Sequence, residues 1–458
     1  MNYKIKIFLV LILLQTGCSK KTDIKKEFEV LNSYSKNLVG HDLEMMSDVE
    51  LIENGKRISF DEISLGEAVG IALKNSSFLQ ASFEDLGIAK ADLEYAGLYG
   101  TNPHLESILK FPENRNSGKK PIWELEGSIP LSKYWQVPLK RRVFKDELLI
   151  VTWGIASVIL DTIKNTKTSY ANCFFLELQI KKYKEIINIA NELLRRMEMR
   201  KNYGLETDKA IYEAKEHLQK FIIEKNRLTN EFKNQLINLR KAIGINLKGR
   251  RFALKTDLKK LSSLSFDRKL LLILMKNNNP DLYLADIMIS KYKKVLTLER
   301  SKFIKELNLG FSYEREDDGS KVFGPLLSMN LPIFDSNRGE IEKTKFMIRK
   351  LKKTYLDKKS LIKQELLTNY NNFNYFNDLV KVYESSLIPL RNNIKEFTLK
   401  HFKRMQLTKI ESLNAKLDFY LTEVEKLKKE KEKFISLVNL ERIVGKELVI
   451  LGESNASN

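Results

Sequence analysis

Two pairs of short stretches, residues 102–111 with 121–131 and residues 307–315 with 320–332, alternate apolar and polar side chains with a period of two. In the first pair Leu105, Leu109 and Phe111 share one face, and His104, Glu106 and Lys110 take the other; Trp123, Leu125, Ile129 and Leu131 then oppose Glu124, Glu126 and Ser128. In the second pair Leu307, Leu309, Phe311 and Tyr313 oppose Asn308, Ser312 and Glu314, and Leu327, Met329 and Leu331 oppose Ser328 and Asn330. This period predicts strands with one dry and one wet face. The pattern fits soluble hairpins, and at about ten residues per stretch it also fits tilted strands crossing a bilayer.

The rest of the chain reads as helix. Ser64 with Glu67 three residues on forms a capping-box pattern, which opens a helix over 65–74. A break at 75–77 precedes a longer helix to about residue 100. Helical periodicity resumes from about 139 to 202, turns at 204–207 and continues over 208–243. Cys173, Leu176, Ile180, Tyr183, Ile187, Ala190, Leu194 and Met197 step by three and four, a heptad stripe that calls for coiled-coil packing. Two hundred residues later Phe373, Phe376, Val380, Tyr383, Leu387, Leu390, Ile394 and Phe397 repeat it in register. The returning helix carries its own stripe at Leu413, Leu417, Tyr420, Val424, Leu427, Phe434 and Val438. The break at 276–282 answers the one at 74–79, and Pro332 answers Pro130. The chain is therefore a duplication, with repeats over 63–245 and 267–448, a basic connector at 246–266 and a tail at 449–458. Helices of about 60 residues run roughly 90 Å and must pack side by side. Pro389 is expected to kink its helix.

Charge alone points elsewhere. With 79 Lys and Arg against 59 Asp and Glu, the net charge of +20 would suggest nucleic acid as a partner. The start of the chain argues against that. Lys4 and Lys6 precede the apolar run 7–14 and then Gln15-Thr16-Gly17-Cys18, a secretory signal peptide over 1–17. The Gly-Cys ending resembles the bacterial lipobox, with Gln15 where that motif usually carries Leu. The resemblance implies that Cys18 becomes the lipidated (palmitate-bearing) N-terminus, and Ser19 after it implies sorting to the outer membrane. Residues 18–62, polar and weakly periodic, then read as a lipid-anchored linker. After the signal peptide no stretch approaches eighteen uninterrupted apolar residues, so no transmembrane helix is expected.

If the hairpins sit in a membrane, four strands cannot close a barrel, and an open sheet edge is excluded from hydrocarbon. The chain must then oligomerise. Three copies supply twelve strands, enough to enclose water. The lumen face would carry Glu106, Lys110, Glu124, Glu126 and Glu314. The fold class expected is mainly α with a membrane β-barrel. A duplicated unit of helix, hairpin and long helix pair builds a trimeric 12-stranded barrel on a long α-helical coiled-coil tunnel.

Three motifs carry a resemblance to the TolC-like outer-membrane factors over roughly residues 63–448. They are Ile63-Ser64-Leu65-Gly66-Glu67-Ala68, Asn279-Pro280-Asp281-Leu282, and Asn330-Leu331-Pro332-Ile333-Phe334-Asp335-Ser336-Asn337-Arg338-Gly339. The resemblance implies a homotrimeric exit duct in the outer membrane of a Gram-negative-type bacterium. Such a duct is joined through a periplasmic adaptor to an inner-membrane pump, as in tripartite efflux or type I secretion. It also implies a periplasmic constriction at the helix-turn-helix tips, which here would involve Phe402, Leu407, Glu411 and Asn414 in the second repeat and Tyr203 and Asp208 in the first. Met405 stands where the family usually has Gly, Asn414 where a second carboxylate can follow, and Ala210 where the first repeat would carry its acid. Three copies of Glu411 around an axis would repel, which tends to raise carboxylate pKa values.

Enzymatic motifs are missing from the sequence. The four His form no metal pair with a carboxylate, Cys18 and Cys173 are not at metal spacing, and no phosphate loop or nucleophile elbow occurs. Neither enzyme activity, cofactor, metal nor nucleic acid is expected. The rival reading is a periplasmic coiled-coil structural or adaptor lipoprotein with soluble hairpins.

Overall fold

The computed structural model describes residues 22–47, 49–50, 62–98, 103–111, 120–244, 253–255 and 265–448. The expected signal peptide and lipidation site Cys18, most of the connector and the tail lie outside these residues.

In chain order the elements are α1 (Lys25–Val39), β1 (Glu62–Ile63), α2 (Leu65–Asn75), α3 (Ser77–Ala96), β2 (His104–Lys110), β3 (Ile122–Pro130), α4 (Ser132–Asn202), α5 (Asp208–Ala242) and β4 (Ala253–Leu254). The second repeat follows with α6 (Arg268–Asn278), α7 (Pro280–Ser301), β5 (Leu307–Arg315), β6 (Lys321–Met329), α8 (Arg338–Val382), a π-turn (Tyr383–Leu387), α9 (Ile388–Lys403) and α10 (Lys409–Val444). The order repeats as the sequence predicts. The chain divides into two compact units that cut across both repeats. One comprises residues 1–30, 83–153 and 283–355 and contains the sheet; the other comprises residues 31–82, 154–282 and 356–458.

In the first unit, β2, β3, β5 and β6 form one antiparallel sheet in that order, with β2 and β6 as edges. All four helical connections leave from one end of it, since His104 pairs with Ser128, Pro130 with Asn308 and Leu307 with Met329. Phe28 of α1 packs edge-on against Phe83 of α3 at 5.2 Å, and Lys90 pairs with Glu27 at 2.8 Å.

In the second unit the core runs between helices. Ala68, Ala72, Tyr170, Cys173, Leu239 and Val438 are buried together, as are Leu366, Phe373, Leu437 and Leu440. Cys173 is a core residue, and its burial pushes the thiol up to about 12. The Tyr170 hydroxyl lies 2.9 Å from the carbonyls of Ile63 and Lys255, tying α4 to the parallel pair β1–β4.

Several expectations change. The segment 18–62 is not all linker: α1 forms within it and buries Leu31, Ser35 and Leu38. Its apolar positions are few, and this hid their helical spacing. The helix after β3 starts at Ser132 rather than near 139 and runs through Pro138. A proline lacks one donor and crowds the carbonyl four residues back; within its first two turns α4 carries it. Strand β6 ends at Met329, short of Pro332. The kink expected at Pro389 takes the form of the π-turn just before it, a wider turn that accommodates a missing i→i−4 bond. Finally, the stripe of the second repeat is buried at Phe373 and Val380 but exposed at Leu390, Ile394 and Phe397.

Candidate functional site

The sheet separates its side chains by face as the sequence requires. Cross-strand partners share a face, and the register aligns Glu106 with Glu126 and Ser312, and Glu124 with Ile108 and Glu314. Lys110 falls opposite Ile122 on the same face and pairs with Glu124. The five residues expected to line a lumen therefore occupy one polar face. The other carries Leu105, Leu109, Trp123, Leu309, Phe311 and Phe323, all substantially exposed. Trp123 meets Tyr313 edge-on at 5.8 Å, and its Nε1 donates to Ser107 Oγ at 2.9 Å. Phe311 covers Gly127, where a β-carbon would collide with its ring. This face is apolar and uncovered in a single chain.

The run 330–339 turns the chain from β6 into α8. Asn337 adopts the left-handed conformation (φ 61°) and is buried. Its Nδ2 donates to the Glu299 carbonyl at 2.8 Å and to Glu299 Oε2 at 2.9 Å, and its N–H donates to Asp335 Oδ1 at 2.9 Å. Burial alone would raise the Glu299 pKa; hydrogen bonds from Lys302 and Asn337 outweigh it and hold the carboxyl below its usual range. Asn, which tolerates left-handed φ, is thus both hinge and clamp.

The two tips are built alike. After α4 the N–H of Gly204 donates to Lys201 O and that of Leu205 to Arg200 O; after α9 the N–H of Met405 donates to Phe402 O and that of Gln406 to His401 O. Gly204 has φ 73° and Met405 φ 56°. Thr207 and Thr408 then cap the returning helices through the N–H groups of Ala210 and Glu411.

Each tip residue named from the sequence has a definite place. Glu411 completes a capping box, its Oε2 accepting from the Thr408 N–H at 2.6 Å and hydroxyl at 2.8 Å. These bonds, the backbone one first, hold its carboxyl below the usual carboxylate range within one chain. Asn414 lies one turn on and is exposed. Phe402 is half-buried under the ammonium of Lys409, 5.1 Å from its ring centre, and Leu407 is half-buried too. Tyr203 is exposed, and Asp208 pairs with Lys201. Lys409 also approaches Glu192 at 3.9 Å, linking the second tip to α4.

Sequence reasoning missed a polar network in the second unit. Lys167, 8% exposed, pairs with Glu441 and Glu447, each at 2.9 Å. Arg442 reaches Asp161, Asp281 and Ser157 at 2.6, 3.0 and 2.9 Å. Only Asp281 stood in a motif. The same motif's Asn279 caps α7 by accepting from the Leu282 N–H at 3.0 Å and donates to the Ile443 carbonyl at 2.8 Å. A cavity of about 510 Å³ opens beside the π-turn, floored by Phe174, Phe373 and Phe434 and rimmed by the pairs Lys182–Glu423 and Lys426–Glu384. Among the described residues no group of His, Cys, Asp or Glu could hold a metal, and no helix is long and apolar enough to cross a membrane.

No protein-family model matches the chain, and no curated protein is similar to it in sequence. Solved structures are similar. CusC, described as forming a transmembrane channel, superposes with a TM-score of 0.68 at 15% identity, covering 86% of this chain and 94% of that one. The outer membrane protein VceC of Vibrio cholerae gives 0.65 at 14%, covering 83% and 96%. The CmeC outer membrane channel of Campylobacter jejuni gives 0.61 at 18%, covering 86% and 88%. The chain has the fold of these outer-membrane channels, as its resemblance to the TolC-like factors led one to expect.

Proposed function

We propose that this chain is the protomer of a homotrimeric outer-membrane exit duct, a passive conduit fed by a periplasmic adaptor and an inner-membrane pump. One observation carries the reading: an open four-stranded sheet with one acidic, polar face, one uncovered apolar face and two unpaired edges. A soluble protein would bury such a face or blunt such edges. In a bilayer the apolar face meets lipid, the polar face meets water, and three copies close the edges into a twelve-stranded barrel. The exposed second half of the heptad stripe, at Leu390, Ile394 and Phe397, also asks for a neighbouring helix.

In this reading the helices continue the duct into the periplasm, lipid on Cys18 fastens the outer-membrane end, and the tips around Tyr203–Asp208 and Met405–Glu411 splay to open it. Nothing in the mechanism requires catalysis or a cofactor. The test is the mass of the detergent-extracted protein from an outer-membrane fraction. Three copies of the 53.3 kDa chain give a particle of about 160 kDa with three-fold symmetry. A monomer released into the periplasm when Cys18 is changed to Ser overturns the reading in favour of a soluble tether.

A further inference from the structure

Resting on that trimer, we propose that α3 and α8 form a charge-complementary seam between neighbouring copies of this chain. The strand order fixes which surfaces meet. Because β2 and β6 are the sheet's edges, closure sets β6 of one copy against β2 of the next. The chain enters β2 from α3 and leaves β6 into α8. Closing the barrel therefore carries the first turns of α8 beside the last turns of the next copy's α3. The two run antiparallel, one leaving the sheet and the other approaching it.

Their exposed surfaces correspond. On α3, Glu84, Asp85, Ile88, Asp92 and Tyr95 follow one another at helical spacing and are all exposed. On α8, Phe346, Arg349 and Lys353 form an exposed stripe with Lys350 and Lys352 beside it. The Arg349 guanidinium sits 4.1 Å over the Phe346 ring. Among the described residues Glu84, Asp85 and Asp92 have no ion-pair partner, and neither do Lys350, Lys352 and Lys353. Opposite charges left unmatched on two surfaces attract across a contact.

The heights agree as well. At about 1.5 Å per residue, Ile88 lies about 12 Å from the sheet-side end of α3, and Phe346 lies about 12 Å from that of α8. Glu84 and Asp85 lie about 17 Å up, level with Arg349 and Lys350. Apolar meets apolar, and acid meets base.

The test uses the full-length chain in mild detergent. Oxidising a variant with Ile88→Cys and Phe346→Cys should give covalent dimers and trimers that neither single variant gives; Cys173 is buried and does not compete. Separately, Arg349→Glu with Lys353→Glu should lower the temperature at which the trimer dissociates, as should Glu84→Lys with Asp85→Lys. Combining all four should restore most of the loss while helix content stays constant. An intact trimer with no cross-link and no response to charge reversal overturns the seam and leaves the duct standing. A wild-type monomer removes both.

Discussion

The carbonyl of Asn75 occupies the space that a β-carbon would take on Gly244, and the carbonyl of Asn278 does the same to Gly445. Each Asn ends a short helix, and each Gly ends a long returning one in the left-handed conformation, at φ 68° and 70°. The duplication is thus written into a pair of backbone contacts. In both repeats the helix break and the end of the coiled coil lock together through the one residue that has no side chain.

Alanine at either glycine should be costly. Left-handed backbone costs an L-residue roughly 1–2 kcal/mol, and here the methyl also strikes a carbonyl that cannot swing away. Gly244→Ala and Gly445→Ala should each lower the thermal midpoint followed by far-UV circular dichroism. Gly40→Ala, with positive φ but open space around it, should lower it less.

The tips give the opposite case. Met405 holds φ 56° while 95% exposed, so its side chain contributes little packing to offset the strain. Met405→Gly should stabilise the chain by about 1 kcal/mol, read as a higher urea midpoint. Gly204→Met should lower that midpoint by a similar amount.

These examples show what was legible in the sequence. Turn chemistry and period-two patterns depend on neighbours in the chain, so the hairpins, the Ser64–Glu67 box and the turn at 204–207 could be read directly, while the second tip came from the resemblance. The α1 helix could not, because its apolar residues are few and their helical spacing is sparse. Lys167 looked like any lysine on a helix face; only the approach of Glu441 and Glu447, more than 270 residues away, makes it a buried cation. The stripe at Leu390, Ile394 and Phe397 was readable as apolar, but a sequence does not say whether the same chain or another covers it.

Lys167 carries a stability prediction with a defined pH dependence. Burial alone would lower its pKa, but Glu441 and Glu447 outweigh that and hold it above the ordinary lysine value. Lys167→Met leaves two carboxylates without their cation and should cost about 3–5 kcal/mol at neutral pH. A raised folded-state pKa means the contribution is complete below the unfolded lysine value. It is lost as pH rises through the folded one. From neutral pH upward, the gap between wild type and variant in denaturant midpoint should therefore narrow in strongly alkaline buffer.

The Thr408–Glu411 box responds at the other end of the scale. The Glu411 carboxyl is held below its usual range by the Thr408 N–H and hydroxyl. A depressed pKa adds stability above the unfolded value and loses it as pH falls through the folded one. Thr408→Ala should lower the thermal midpoint at pH 7. Glu411→Gln should lower it at pH 7 and leave it unchanged in acid, where the wild-type carboxyl is protonated too.

The sheet's polar face makes the functional prediction. Glu124 stands directly opposite Glu314, and Glu106 opposite Glu126. Facing carboxylates repel in a closely packed sheet and are tolerated where water separates and screens them. If three copies turn this face inward, the carboxylates repeat around the axis, and Lys110 on the same face is already paired with Glu124. The resulting negative potential concentrates cations in the lumen. Reconstituted in a planar bilayer across a salt gradient, the protein should show a reversal potential of cation-selective sign. Glu124→Gln with Glu314→Gln should move that potential toward zero, and Glu124→Lys with Glu314→Lys should invert it. The same changes on an outward, lipid-facing surface would leave selectivity untouched and hinder insertion, so a potential that does not move would place these carboxylates outside the conducting path.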